Sequence, residues 1–322
     1  MADATQPPAI LVAGPTASGK SALALRLAER LGGVVINADS MQVYRELRVV
    51  TARPDQADLA RAPHALYGVR PAAEAGTVAW WREAALAEME AARGAGRVPI
   101  LCGGTGMYFA ALTEGLAAIP PVPEAARAEA RRLLAEEGPA ALHGRLAALD
   151  PATAGTLRPT DSQRLARAYE VVTGTGQGLV AWQAAGGTGP AHWRFAGVLL
   201  DPPRDALRAA ISARWQGMMA EGAVEEVRAL GALGLDPALP AMRAHGVPEL
   251  LAMLAGRMTP QEASARAILI TGQYTKRQAT WFRHHALAPP DRMQILTARW
   301  SEDAQDSQSL LEYFAAFVET SR

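Results

Sequence analysis

The sequence predicts an α/β protein: a parallel-sheet core interrupted by an all-helical insertion domain. Three observations carry that expectation. Short aliphatic and β-branched runs alternate with helix-period segments, which is the pattern of a parallel sheet with helical crossovers. Two of those runs lead directly into glycine-rich turns. Residues 120–193 show helical periodicity and no convincing strand.

Residues 9–13 (AILVA) form a short apolar run, read as a buried strand. GPTASGKS (14–21) follows, and then a helix on which Leu23, Leu27 and Leu31 recur at helical spacing before Gly32 stops it. VVINA (34–38) is a second strand, ending at Asp39. VPILC (98–102) is a third, running into GGTG and another helix. FAGVLL (195–200) is a further strand, followed by Pro202-Pro203 and a helix to about Ala220. Within the helical block, 123–138, 140–150 and 162–174 have helical patterns, with Thr160 and Gln163 forming a capping box for the third. AAGGTGP (184–190) reads as a flexible connector and the acidic, serine-bearing 301–308 as a loop before a last apolar helix. The expected division is a catalytic core of 1–119 with 194–322, and an insertion of 120–193.

The composition sets limits. With 322 residues, 49% of them hydrophobic, the chain is ample for a packed core. A formal net charge of +0 excludes global attraction to nucleic acid or anionic lipid, so RNA binding needs a local basic patch. A single cysteine, Cys102, rules out an intrachain disulfide and fits a reducing compartment. The opening residues lack a basic segment followed by a long apolar one, and no apolar run approaches the roughly 20 residues of a membrane span. A cytoplasmic protein with no membrane association is expected. Lysine fills only two of the 32 basic positions, Lys20 and Lys276. A chain that otherwise writes its cations as arginine keeps lysine where a compact ammonium is required and a planar fork does not fit.

The first lysine lies in the most informative motif. Gly14, Pro15, Thr16, Ala17, Ser18, Gly19, Lys20 and Ser21 fit G-x-x-x-x-G-K-[ST] between a predicted strand and a predicted helix. Glycines let backbone N–H groups curl around phosphate oxygens, and the helix N-terminus adds a favourable dipole. Lys20 reaches the outer phosphate and the Ser21 hydroxyl can ligate Mg²⁺. The motif implies a P-loop NTPase-like core that binds a diphosphate or triphosphate. It does not imply ATP hydrolysis.

Asp39 ends the second strand, on the sheet edge that faces the ligand crevice in open α/β folds. It is a candidate general base or water-mediated metal ligand, or simply a cap for the next turn. GGTGMYF (103–109) is a second glycine turn, with Thr105 able to cap and donate. Arg214 lies on or beside the stripe formed by Leu207, Ile211 and Met218, where an arginine needs an anion or else snorkels to solvent. Arg164 and Arg167 share a helical face suited to RNA phosphates or to solvent. Trp80, Trp81 and Trp281 are more readily core residues than base-stacking platforms. His284-His285 carries no assignment.

In chain order, GPTASGKS, DSMQVYR, TARP, PILCGGTGMYF, TDSQRLARAYEV, PPRDALRAAISARW, GAVEEVRAL and YTKRQATWFR resemble the bacterial tRNA dimethylallyltransferases over roughly residues 9–285. The pair DSMQVY and GGTGMYF is the specific part. The resemblance implies that loop 14–21 holds dimethylallyl diphosphate with magnesium, and that Arg214 helps. It implies that Asp39 is the base for the adenosine amine and that Thr105 lines the reaction channel. Further residues match tRNA-contacting positions: Ser40, Met41, Gln42, Arg127, Gln163, Arg164, Leu165, Ala166 and Arg167, with Arg243 and Gly246 matching more weakly. The insertion would grip the anticodon stem-loop, and the enzyme would act as a monomer. The chain departs from the family at Glu46 and Val50, at Val247 and Pro248, and at Gly272. Two other readings stand beside this one: a P-loop kinase of a small metabolite, marked by ATP turnover without RNA, and a nucleotide-switched RNA-binding protein, marked by unmodified RNA.

Overall fold

The computed structural model describes residues 6–301 and 307–320. In chain order the first part runs β1 (Pro8–Ala13), α1 (Lys20–Leu31), β2 (Gly33–Asn37), α2 (Gln56–Arg61), β3 (His64–Ala65), α3 (Val78–Gly94), β4 (Val98–Gly103) and α4 (Gly106–Thr113). Next come α5 (Glu124–Leu149), α6 (Pro151–Ala154), α7 (Ser162–Thr175) and α8 (Leu179–Ala184). The chain finishes with β5 (Arg194–Leu200), α9 (Arg204–Ala220), α10 (Ala223–Ala232), α11 (Val247–Leu254), α12 (Pro260–His284), β6 (Met293–Leu296) and α13 (Ser307–Glu319).

Six parallel strands form one sheet in the order β3-β2-β4-β1-β5-β6. The strands are almost continuously apolar because both faces are covered. Along β1, Ala9, Leu11 and Ala13 face one hydrophobic cluster with Trp81, Met89, Phe109 and Phe282. Ile10 and Val12 face the other, with Leu23 and Leu27 of α1 and Phe314 of α13. Pairing of Ala13 with Gly103 makes β1 and β4 end at the same level, so their two glycine turns emerge side by side. Strands β3 and β6 are too short, at two and four residues, to stand out as sequence patterns.

Residues Glu114–Pro190 form a separate compact unit. It starts and ends slightly earlier than the expected 120–193, because the two connecting segments pair within it. Ala117 bridges Gly187, and the Thr188 N–H donates to the Leu116 carbonyl at 2.9 Å. The segment expected to be a flexible connector is thus hydrogen-bonded to residues 116–118. The unit has its own core of Ala130, Leu133, Leu142, Leu146, Leu165 and Ala168. The first two predicted helices meet at Gly138, whose φ of 82° breaks the run. The capping box on Thr160 is not formed. Asp161 caps α7 instead, accepting from the Arg164 N–H, since its carboxylate sits one residue nearer the first turn. The expected loop at 301–308 falls largely outside the described residues; α13 follows from Ser307. Among the described residues, no helix is long and apolar enough to cross a membrane.

Helix α13 closes one face of the core unit through Phe314, which is fully buried. Phe314→Ala should destabilise the protein by about 3–5 kcal/mol, read by denaturant unfolding. A loss below about 1 kcal/mol would show that α13 is peripheral.

Candidate active site

The phosphate loop is built by an abrupt start to α1. Gly19 caps that helix with φ 93°, and Ala17 is also left-handed at φ 66°. A left-handed alanine costs about 1 kcal/mol or more, so its surroundings must hold it. They do so from the C-terminal part of the chain. The Arg299 guanidinium donates to the Ala17 carbonyl at 2.8 Å, and the Trp300 N–H donates to the Ser18 carbonyl at 3.0 Å. Gly14 and Gly19 have no room for a side chain: a Cβ would lie 2.8 Å from the Leu200 carbonyl and 2.5 Å from the Trp300 carbonyl respectively.

Lys20 is buried, and among the described residues its Nζ makes one long hydrogen bond, 3.4 Å, to the Pro15 carbonyl. Burial lowers its pKa, and the Asp39 carboxylate works against that shift. A buried ammonium with so little compensation suits completion by an anion. The adjacent Cys102 thiol hydrogen-bonds Ser21 and is pushed up to about 11 by burial, so it stays neutral. Among the described residues there is no group of three or more histidine, cysteine or acidic side chains that could hold a metal. The Ser21 hydroxyl of the loop offers the hard oxygen that a magnesium ion would take.

Asp39 follows β2 in a tight polar turn. Its N–H donates to Asn37 Oδ1 at 2.8 Å, and Asn37 Nδ2 donates to the carbonyls of Asp39 and Leu66 at 3.0 and 3.1 Å. Leu66 is itself left-handed, at φ 64°. Asp39 Oδ1 accepts from the Met41 N–H at 3.0 Å; among the described residues nothing donates to Oδ2. Thr105, at the end of the second glycine turn, sits beside it. Its N–H reaches the Ala38 carbonyl at 3.2 Å and its Oγ1 accepts from the Ser40 N–H at 2.9 Å. The Tyr274 hydroxyl hydrogen-bonds Thr105, and burial raises the Tyr274 pKa, keeping the phenol neutral.

The two turns are joined by a residue the sequence reading overlooked. Gln278 of α12 is 4% exposed. Its Oε1 accepts from the Thr16 N–H at 2.9 Å and from Thr16 Oγ1 at 3.3 Å, while its Nε2 donates to the Gly104 carbonyl at 2.9 Å. The glycines of the second turn serve this packing: a Cβ at Gly103 would lie 2.0 Å from the Ala38 carbonyl oxygen, and one at Gly104 2.1 Å from Gln278 Nε2.

Asp39 and Arg214 line one cavity together with Thr16, Thr51, His245 and Tyr274, and its remaining walls include Met41, Val50, Ile211, Met218 and Ile268. Burial depresses the Arg214 pKa and the Asp39 charge raises it. Its Nη2 donates to the Thr51 carbonyl at 3.0 Å. Arg214 is therefore turned inward, not snorkelling.

The proposed RNA contacts divide. Gln163, Arg164 and Arg167 are exposed on α7, and each arginine pairs with an acid on its own helix or cap: Arg164 with Asp161 at 3.5 Å, Arg167 with Glu170 at 2.6 Å. Arg127 pairs with Glu124 at 3.7 Å. Leu165, expected among the tRNA-contacting positions, is fully buried, because helical periodicity turns its side chain into the unit's core and away from any RNA. Ala166 is half-buried. The Gln42 side-chain amide is occupied by the Thr51 and Ala52 carbonyls, at 3.0 and 2.8 Å. Arg243 is exposed, whereas Gly246 is buried, with φ 96°, against the Trp215 ring. The tryptophans pack: Trp81 stacks on Tyr108 and Trp281 on His285. At the departures, Glu46 accepts from the Ala72 N–H at 2.8 Å, Val50 lines the cavity, and Val247 and Pro248 begin α11.

The IPP transferase family model matches residues 42–285, and an Isopentenyl transferase model matches 8–73. A tRNA dimethylallyltransferase of Acidiphilium cryptum is 57% identical, over 98% of this chain and 95% of that one. That of Gluconacetobacter diazotrophicus is 59% identical over 95% and 92%. The crystal structure of the tRNA isopentenylpyrophosphate transferase of Bacillus halodurans has a TM-score of 0.67 at 29% identity, covering 98% of both chains. A eukaryotic dimethylallyltransferase acting on tRNA shares the fold, with a TM-score of 0.80 at 23% identity over 97% of this chain and 80% of its own.

Lys20→Arg keeps the charge but replaces a buried point charge with a broader planar fork, so affinity for inorganic diphosphate, titrated calorimetrically, should fall at least about tenfold. An unchanged affinity would make the lysine incidental.

Proposed function

The chain belongs to the IPP transferase family, and from that membership we propose that it transfers a dimethylallyl group from dimethylallyl diphosphate to tRNA. The acceptor is the exocyclic N6 of the adenosine 3′-adjacent to the anticodon, and diphosphate is released. The observation that carries this reading is the shared cavity. One carboxylate and one inward arginine face a space with an apolar wall of Met41, Val50, Ile211, Trp215, Met218 and Ile268, beside the polar side chains of Thr51, His245, Thr271 and Tyr274, and Thr16 of the phosphate loop lines it too. That combination suits an apolar five-carbon group held between a diphosphate and a weakly nucleophilic amine.

Gly14 to Ser21 and Arg214 bind the diphosphate, and Lys20 neutralises its outer charge. A magnesium ion held by Ser21 and the diphosphate would add to that neutralisation and help the leaving group depart. The amine lone pair forms the new bond to the first prenyl carbon as that carbon's bond to the diphosphate oxygen breaks. The N6 proton passes to Asp39 at Oδ2, the oxygen not used by the Met41 N–H. Thr105 lines the path by which the base enters. Extruding a base costs a few kcal/mol, and less from a loop than from a duplex, which favours an anticodon loop as substrate.

The RNA would be gripped through Arg127, Gln163, Arg164 and Arg167 of the helical unit and through Ser40, Met41 and Arg243 of the core. The ion pairs made by those arginines are no obstacle, because exposed pairs are worth only about 0–1 kcal/mol and a phosphate can displace the acid. We place the reaction in the cytoplasm, carried out by a monomer.

Incubation with dimethylallyl diphosphate, Mg²⁺ and an anticodon stem-loop should add one prenyl mass to adenosine. ATP turnover without RNA would support a kinase instead, and free AMP prenylated as efficiently as the stem-loop would point to a mononucleotide acceptor. Asp39→Ala should cut turnover about 10²–10⁴-fold while diphosphate affinity holds; near-normal turnover with saturating RNA would remove Asp39 as the base. Stem-loop affinity should follow a log–log salt slope of about −3 to −5 if four to six phosphates are contacted. Replacing Arg164 and Arg167 with alanine should flatten that slope by about one unit each, and an unchanged slope would take α7 out of the RNA interface.

A further inference from the structure

Arg214 is positioned by a carbonyl, and that carbonyl is positioned by a carboxylate on another helix. Glu226 of α10 does not line the cavity. Its Oε2 accepts from the N–H groups of Arg48 and Val49, both at 2.8 Å, and its Oε1 accepts from that of Val50 at 3.0 Å. Three consecutive backbone donors thus converge on one carboxylate, an arrangement that holds the turn rigidly. The next residue is Thr51. Its carbonyl accepts from Arg214 Nη2 and from Gln42 Nε2, each at 3.0 Å. Thr51 Oγ1 closes the turn on the Leu47 carbonyl at 2.6 Å, and Ala52 beyond it is left-handed at φ 47°. A turn strained in this way keeps its shape only while its anchors hold.

We propose that Glu226 is a positioning residue for the donor site: through the turn 48–51 it sets the location of the Thr51 carbonyl and so aims Arg214 at the diphosphate. This rests on the reading of Arg214 as a diphosphate ligand. The chemistry requires a carboxylate. Glutamine would present an NH₂ where one of the three N–H groups must find an acceptor, and the repulsion between donors would open the turn. Arg214 would keep its charge but lose the carbonyl that fixes its direction.

The test is a double-mutant cycle on donor affinity, with inorganic diphosphate as the calorimetric probe and KM for dimethylallyl diphosphate as the kinetic one. Glu226→Gln should weaken diphosphate binding about tenfold, the effect of a misdirected charge-assisted hydrogen bond. KM should rise more than kcat falls. In an Arg214→Ala background the same change should add less than about twofold, because the residue through which it acts is gone. Glu226→Asp, which keeps the carboxylate on a shorter arm, should recover part of the affinity and guards against a glutamine variant that fails to fold. Equal losses in both backgrounds, or no loss at all with a folded protein, would overturn the proposal. If Arg214→Ala alone left diphosphate binding intact, the donor-site reading itself would fall, and the two failures are thereby told apart.

Discussion

One buried side-chain amide holds the phosphate loop against the second glycine turn. Gln278 satisfies the Thr16 N–H on one side and the Gly104 carbonyl on the other, and it is almost wholly removed from solvent. A buried donor or acceptor left without its partner costs about 1–3 kcal/mol, so both turns are bound to the position of α12. The sheet register makes the bridge possible by ending β1 and β4 at one level. Two neighbours of Gln278 on α12 extend the same contact surface: Tyr274 reaches Thr105, and the Trp281 ring fills the space where a Cβ at Gly106 would lie 2.2 Å away. A single helix therefore indexes the loop assigned to the diphosphate and the turn assigned to the acceptor.

Electrostatics act on that frame. Lys20 and Arg214 are both desolvated, and both feel the Asp39 charge. A buried lysine and a half-buried arginine facing one carboxylate make a site short of negative charge, which the proposed diphosphate would supply. Asp39 must stay close enough to assist the cations yet keep one oxygen available, and the Asn37 turn with the strained Leu66 carbonyl holds it so. Among the described residues, the left-handed non-glycine residues Ala17, Ala52 and Leu66 all lie next to groups of this site.

Much of this was readable from residues alone. Strand–loop–helix alternation revealed the parallel sheet, and local patterns singled out the phosphate loop, Asp39, Thr105 and Arg214 as candidates whose roles came only with the family resemblance. What escaped depends on distance along the chain. Gln278 meets Thr16 across 262 residues, and Arg299 meets Ala17 across 282. No periodicity announces such pairs. Nothing in GAVEEVRAL marks Glu226, since only the fold brings the turn at 48–50 to it. The basic segment 163–167 was read as a unit, although one of its members, Leu165, had to face inward on a helix. Asp161 took the cap expected of Thr160 because two good capping residues stood next to each other.

The proposed transfer requires that the two turns operate as one site. Single-turnover prenyl transfer to an anticodon stem-loop, with both substrates saturating, measures that directly when Gln278 is replaced by methionine, which keeps the volume and removes the hydrogen bonds. The account predicts a folded protein whose transfer rate drops by about tenfold or more, because losing bonds to both turns misplaces the diphosphate and the acceptor relative to each other. A Gln278→Met enzyme that transfers the prenyl group within twofold of the normal rate would contradict it.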